Sequence, residues 1–489
     1  MRAVCLKRTL NCNVRGLARS PALPGRKTWA WTLLLVAAIA TWIDLSRIHA
    51  LQGADSFIPI LVSLQRWTPF FWGQDRFGML VPLIAMPLQN PLANLLVQSW
   101  LMLAATLLAP FLMARWLAGP ASGWFLAGTL TNALLLLIAR PEAQFDWLVV
   151  QPYALSITLG TAGLLAAEHT SIAATAAALI LMLLAHWVNL GVAAALIPLV
   201  LFRGRLVLRS MLVAVAGAAG GIALVSLAST RTTTNLIPVA EWPNAWLQLL
   251  GKVLTPFLYP AFVVVIAIAA ASGVIFLWAR AERRDAARPA SIAVLGAAAY
   301  SLFIGTSRWV QMNQYFPRYV YPSILLCTVA AAIVATALVR HRSKLVTALI
   351  VGVLAIATGA GYGRPSLGGV RSTLDQHFGT MTPDVIANGA RVIGGNYWTV
   401  WPAVFHANLT VYRQAGEHRP IYGLTFRSSE TNGLWTGEPG VVLAARPGDI
   451  ELERYADRAG VVIEFVERRG AIDTFKVRLA ERREFGIGK

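Results

Sequence analysis

The sequence predicts a membrane all-α protein of about eleven transmembrane helices, followed by a small C-terminal α/β domain outside the cytoplasm. Three observations carry that expectation. Hydrophobic residues make up 56% of the 489 positions and charged residues only 13%, about half the charged share that keeps a soluble chain in water. The apolar residues come in blocks such as 29–43, 210–227, 260–278 and 320–339, and about 20 apolar residues rising ~1.5 Å each cross the ~30 Å hydrocarbon core. The stretch 362–489 instead mixes 16 Lys/Arg with 14 Asp/Glu, the composition of a surface that meets water.

The elements follow in order. Residues 1–28 carry seven Lys/Arg and no acid, which marks a basic cytoplasmic N-terminus. No small-x-small cleavage pattern follows the first apolar block, so that block reads as an uncleaved span. Spans are expected near 29–43, 92–117, 121–139, 152–167, 171–186, 188–202, 210–229, 253–279, 290–306, 319–339 and 345–361. This alternation keeps Arg115, Arg203, Arg205, Arg209, Arg280–Arg288, Arg340, Arg342 and Lys344 inside. It puts Asp44, Asp55, Asp75, Glu142, Asp146 and Glu241 outside. Residues 171–202 also read as one long helix, but a single span there would turn every later basic loop outward. The polytopic domain therefore covers 29–361, with a long first outer loop at 44–77, and an odd number of spans sends 362–489 to the outer side.

Within that tail, 461–466 and 474–479 flank Arg469-Gly470 and predict a hairpin. A strand is expected at 440–445 and a helix at 450–458. The formal charge of +19 lies mostly in short loops between apolar blocks, not in a basic surface interleaved with aromatics, which argues against nucleic acid. Cys5, Cys12 and Cys327 offer neither a tail disulfide nor a metal-ligand spacing. That is easiest to reconcile with a bacterial inner (cytoplasmic) membrane.

Candidate chemistry gathers at the outer ends of spans. The first outer loop contains His49, Asp55 and Asp75, with Trp67, Phe70, Phe71 and Trp72 suited to an amphipathic segment in the membrane interface. A carboxylate such as Asp55, beside a lipid headgroup, has the position of a base toward an acceptor hydroxyl. Its competing role is to cap a helix starting at Ser56-Phe57. Asp75 also reads as half of an ion pair with Arg76 or as a helix start, and Glu142 and Asp146 as solvated loop charges. His186 and Asn189 lie where the chain is expected to turn, and polar groups there either line a cavity or bond a neighbouring helix. Arg308 and Arg318 stand on the outer side against the positive-inside trend. Guanidinium forks pair with phosphate oxygens, and Tyr319 adjoins the second of them; snorkelling to ordinary headgroups is the alternative. In the tail, Trp398 and Trp401 lie three apart on an expected helix, and Asn408-Leu409-Thr410 matches a glycosylation acceptor.

Gly53-Ala54-Asp55 early in a long first outer loop, short paired helices near His186, and Pro317-Arg318-Tyr319-Val320-Tyr321-Pro322 opening a late span together resemble the GT-C superfamily of integral membrane glycosyltransferases. Protein mannosyltransferase-like and lipid A sugar transferase-like enzymes belong to that group. The resemblance implies transfer of a sugar from a polyprenyl-phosphate donor to an envelope lipid, glycan or protein. It makes Asp55 the expected catalytic base and Arg318, with Arg308, the expected phosphate contact. Many members have two adjacent acids in this loop. Here Ser56 follows Asp55, so a divalent metal is not expected and no cofactor is firmly implied. A flippase of lipid-linked glycans and a non-catalytic membrane scaffold are the competing readings. The first would show inverted repeats, which are not apparent; the second leaves the outer arginines without a role.

Overall fold

The computed structural model describes residues 26–74, 77–119, 123–138, 144–150, 152–203, 208–227, 236–253, 260–339 and 343–480. Asp75 and Glu142, two of the candidate residues, lie outside the described residues. The chain opens with α1 (Arg26–Asp44), a 3-10 turn (Arg47–Leu51), α2 (Ala54–Leu64) and α3 (Leu80–Ala85). It continues through α4 (Pro91–Ala118), α5 (Trp124–Ile138), a π turn (Asp146–Val150), α6 (Tyr153–Ala167), α7 (Ile172–Val188), α8 (Val192–Phe202) and α9 (Leu208–Leu227). Then come α10 (Trp242–Val253), α11 (Pro260–Trp278), α12 (Arg284–Gly305), α13 (Arg308–Met312), α14 (Tyr321–Leu338) and α15 (Ser343–Tyr362).

Helix α4 illustrates how local sequence sets these elements. Asn90 caps it by accepting from the amides of Leu92 and Ala93 at 2.9 and 3.2 Å. Pro91 supplies the first helical position, and Gly119 ends it with φ +82. Its 28 residues rise about 42 Å, enough to cross a bilayer with tilt, and it packs against α1, α5 and α6. Small residues set the closest approaches elsewhere. A Cβ on Gly217 of α9 would press on the Met182 side chain of α7, one on Gly221 on His186, and one on Gly296 of α12 on Leu199 of α8. Such contacts let backbones approach where lipid provides no hydrophobic drive. The outer faces are apolar: Ile172, Leu208, Ile275 and Ile356 are each more than two-thirds exposed, which suits lipid and not water.

Among the described residues, five stretches are long and apolar enough to cross a membrane: Pro91–Ala118, Leu208–Leu227, Ala281–Gly305, Arg318–Leu338 and Leu345–Phe378. The chain does break at Asn189–Gly191, but α8 has 11 residues and rises only about 16 Å, short of a full crossing by itself. A further difference lies before α11. Residues 242–253 form an amphipathic helix of their own, with Leu247 and Leu250 outward and Ala245 and Leu249 buried, whereas the span was expected to begin only at 253. The Trp246 indole N–H donates to Leu302 O of α12 at 2.9 Å.

The tail begins with α16 (Leu367–Phe378) and α17 (Thr382–Ala387). A five-stranded sheet follows, built from β1 (Val392–Gly394), β2 (Tyr422–Leu424), β3 (Val442–Ala445), β4 (Val461–Arg469) and β5 (Ile472–Leu479), in the order β2-β1-β3-β5-β4. The β1 strand pairs in parallel with β2 and β3, and β5 pairs antiparallel with β3 and β4. Helices α18 (Tyr397–Ala415), α19 (Ser429–Asn432) and α20 (Leu452–Ala459) complete it. The expected hairpin is β4–β5, turned at Gly470 with φ +59, a value glycine adopts without strain. Asn408 is buried, and its amide nitrogen donates to Val404 O and Ile421 O at 2.8 and 2.9 Å. That burial removes it as a glycan acceptor.

The tail is bolted to the segment 44–74. Phe57 of α2 stacks on Phe405 of α18 at 4.4 Å and meets Phe378 of α16 edge-on at 5.0 Å. Gln65 Nε2 donates to Ile421 O at 2.8 Å and the Arg66 guanidinium to Glu430 O at 2.7 Å. Trp72 is fully buried with its ring 5.5 Å from that of Trp401. Phe71 and Trp72 are therefore tertiary core and not part of a lipid-facing segment; the packing surface of the tail outcompetes the interface for these rings.

Candidate active site

Asp55 sits in the first turn of α2, yet it does not cap the helix. The N-cap is Gly53, whose amide donates to Ser56 Oγ at 2.8 Å. Ser56 therefore does the capping, and the Asp55 carboxylate is left to reach outward, stabilised by the positive end of the helix dipole. It meets two groups from distant parts of the chain. Tyr397 Oη, at the start of α18, donates to Asp55 Oδ1 at 2.6 Å. Arg318, in the 3-10 turn that leads into α14, lies 3.8 Å from Asp55 Oδ2. Both charged side chains are mostly shielded, with 17% of Arg318 and 24% of Asp55 exposed.

The Arg318 guanidinium is only partly used by the protein. It lies over the rings of Phe316 and Tyr319 at 5.2 and 5.4 Å, and its Nε is buried with no hydrogen-bond partner among the described residues. A buried guanidinium donor left over beside a long ion pair is the geometry of an anion site. Asp146 begins the π turn close enough to feel both charges. Burial pushes its carboxyl up to about 6, Arg318 pulls the other way, and Asp55 adds to the rise. Insertions of this kind recur at functional sites. Burial, together with the Asp55 charge and hydrogen bond, raises the Tyr397 phenol well above its ordinary value, so Tyr397 remains a donor. Arg427, from the segment between β2 and α19, lies over the Tyr397 ring at 5.7 Å and over Phe71 at 5.8 Å, with a buried nitrogen that also has no partner among the described residues.

Two cavities flank this junction. A cleft is lined by Gln52, Asp55, Ser56, Phe77, Gln98 and Ser99, with mostly apolar walls otherwise. A larger groove runs along Tyr153, Asn189, Tyr300, Trp309 and Tyr319. Phe77 lines both, at φ +60, a conformation that costs a bulky residue energy and is seen mainly where structure or function demands it. Its ring meets Tyr153 edge-on at 6.1 Å, and Tyr153 in turn meets Tyr319 at 6.4 Å.

The sequence-derived candidates divide accordingly. Asp55, Arg318, Asp146 and Tyr319 come together. His49 is fully buried behind the cleft, bonded to Asp44 O and to Gln52. Arg308 points out from α13, giving a hydrogen bond to Gln311 Oε1 at 2.7 Å, and Gln311 in turn donates to Glu241 at 3.2 Å. His186 is buried where α7 packs on the glycines of α9, its Nδ1 2.8 Å from Met182 O; it is Asn189, not His186, that lines the groove. Trp398 is exposed beside the buried Tyr397. Tyr397, Arg427 and Gln52 were not anticipated, and only the run of aromatics at 397–401 hinted at the first of them. Among the described residues no group of three or more His, Cys, Asp or Glu lies together.

No protein-family model matches the chain, and no curated protein sequence does. Among solved structures, the chain resembles the crystal structure of ArnT from Cupriavidus metallidurans bound to undecaprenyl phosphate. The TM-score is 0.53 at 12% identity, over 92% of this chain and 98% of that one. That likeness is one of fold: the chain shares the overall architecture of that structure.

Proposed function

We propose that this chain is a membrane glycosyltransferase that moves a sugar from a polyprenyl-phosphate-linked donor to an envelope lipid, glycan or protein at the outer face of the membrane. One observation carries the reading: Asp55, Arg318 and Tyr397 meet at the junction of a polar-edged cleft and a long apolar groove. The fold supports it, since a neighbour of the same architecture was crystallised with undecaprenyl phosphate. In this reading the protein is bacterial and lies in the inner membrane, with its N-terminus inside and residues 362–489 outside.

The groove along Tyr153, Tyr300 and Tyr319 would take the prenyl tail, which places the phosphate at Arg318. An incoming phosphate competes with Asp55 for the guanidinium, and the 3.8 Å separation is too long for a hydrogen bond, so the exchange sacrifices none. Asp55, released from Arg318 and oriented by Tyr397, accepts the proton of the acceptor hydroxyl. The hydroxyl oxygen attacks the anomeric carbon, the bond from that carbon to the phosphate oxygen breaks, and the electron pair leaves on the phosphate held by Arg318. A single displacement inverts the anomeric centre. Arg427 adds positive potential near Tyr397, and the tail helps to cover the site.

The test is binding of labelled undecaprenyl phosphate to the full-length protein in lipid nanodiscs. Arg318→Ala should weaken binding by about tenfold or more, the scale of a lost charge-assisted contact, while Arg308→Ala should change it by less than about threefold. Equal binding by Arg318→Ala and wild type would remove the phosphate site and the reading with it.

A further inference from the structure

Gln52 lines the same cleft as Asp55, and three linked groups determine how its amide is turned. The Asp44 carbonyl can only accept, so His49 Nε2, 2.7 Å away, carries the hydrogen. Burial pushes the His49 pKa down to about 4, which keeps the imidazole neutral and leaves a lone pair on Nδ1. The Asp44 carboxylate lies 3.7 Å from Nε2, too far to take that hydrogen instead. Gln52 therefore turns its NH₂ toward His49 Nδ1, at 2.7 Å. The other end, Oε1, is buried and has no hydrogen-bond partner among the described residues, in a residue that is 6% exposed. Gln98 on the same wall likewise spends its nitrogen on protein, donating to Pro59 O, Ser63 Oγ and Asn94 Oδ1 at 3.2, 3.0 and 2.7 Å.

An acceptor buried without a donor costs free energy unless a ligand supplies the donor. An amide held to a fixed orientation, in a cleft shared with a proposed catalytic carboxylate, is matched by a hydroxyl group. We propose that Gln52 Oε1 is a specificity contact that accepts a hydrogen bond from a hydroxyl of the donor's sugar, and that His49 is the positioning residue that fixes the amide. The inference rests on the transferase reading above and names what the cleft recognises: a hydroxyl-bearing sugar attached to the phosphate at Arg318. It also accounts for a fully buried histidine three residues before Gln52.

The experiment compares bare undecaprenyl phosphate with a panel of undecaprenyl-phosphate-linked pentoses, hexoses and N-acetylhexosamines, by competition binding to the full-length protein in nanodiscs. At least one linked sugar should bind about tenfold tighter than the bare lipid, the scale of a polar contact that a site is built to make. Gln52→Leu and His49→Phe should erase that preference while leaving affinity for the bare lipid within about twofold. His49→Gln should retain it, because a glutamine amide can donate to Asp44 O and accept from Gln52; a merely space-filling role for His49 would not distinguish the two substitutions in this way. Should Gln52→Leu fail to fold, Gln52→Met makes the same test. Preference retained without the Gln52 amide, or no panel sugar binding tighter than the bare lipid, overturns the proposal. If bare-lipid binding depends on Arg318 in those cases, only this inference fails. If bare-lipid binding is indifferent to Arg318, the transferase reading fails as well.

Discussion

Asp55–Arg318 and Asp375–Arg413 are both aspartate–arginine pairs bordering helix α18, the first through Tyr397 at its start and the second through His406 and Arg413 in its body. The second pair is short and closed. Asp375 Oδ1 accepts from the Arg413 guanidinium at 2.7 Å and sits 2.9 Å from His406 Nε2, while His406 Nδ1 is 2.8 Å from Thr382 Oγ1. Every imidazole nitrogen is used, the partners lie on neighbouring helices α16, α17 and α18, and 48% of the Asp375 side chain is exposed. The first pair is long at 3.8 Å, shielded, and leaves a buried Arg318 nitrogen over. Its members come from α2, the turn before α14, and α18. A closed local network stabilises a domain, whereas an open one assembled from distant segments has spare bonding capacity for a ligand.

The largest expected effect separates the two aspartates. Asp55→Asn should lower sugar transfer, read as modified envelope product at matched protein level, by at least about 100-fold, since general-base contributions run from about 10² to 10⁴. Asp375→Asn should stay within about twofold of wild type. Comparable losses from both would dissolve the distinction. Tyr397→Phe comes next. It removes one hydrogen bond to the Asp55 carboxylate and no bulk, so turnover should fall by about tenfold with binding of bare undecaprenyl phosphate unchanged. An unaffected turnover would show that Tyr397 merely fills space.

The smallest effect concerns acid. Burial lowers the His406 pKa, with Asp375 opposing. Burial would raise that of Asp375, but hydrogen bonds from His406 and Arg413 bring it below its ordinary value. Both groups thus bind protons more tightly when unfolded, so their contribution to stability is present above the unfolded pKa values and fades as pH falls through the folded ones. Amide-exchange protection of α18 in the full-length protein should decline as pH falls below about 6.5, the ordinary histidine value, because the unfolded chain takes up its His406 proton first. His406→Gln should flatten that decline. Protection that rises toward pH 5 would invert the assignment.

How much of this was legible follows from where the partners lie in the chain. Apolar blocks, the helix break at Asn189–Gly191 and the β4–β5 hairpin are local signals, and each was readable from composition, turn residues and period. Asp55 and Arg318 stood out because each reads in the sequence as a charge at an expected outer span end, and Arg318 also runs against the expected positive-inside trend. Their meeting was not legible, because position 55 and position 318 carry no local sign of each other. Tyr397 lies 342 residues from Asp55, and Gln52 is an ordinary polar residue until His49 fixes its amide. Arg308 misled for the opposite reason: it shares a loop with Arg318, but the short helix α13 turns it toward Gln311. Trp72 looked interfacial because its surroundings are apolar and aromatic, and the partner that buries it, Trp401, is more than 300 positions away.

The most direct test of the account is a paired lipid and glycan profile of cells that carry the wild-type protein, Asp55→Asn at equal protein level, or none. The account predicts that one sugar on an envelope lipid, glycan or protein disappears both from the null cells and from the Asp55→Asn cells. An Asp55→Asn profile that matches wild type while the null loses that sugar would contradict the assignment of Asp55 as the base, and no change in either strain would contradict the transferase itself.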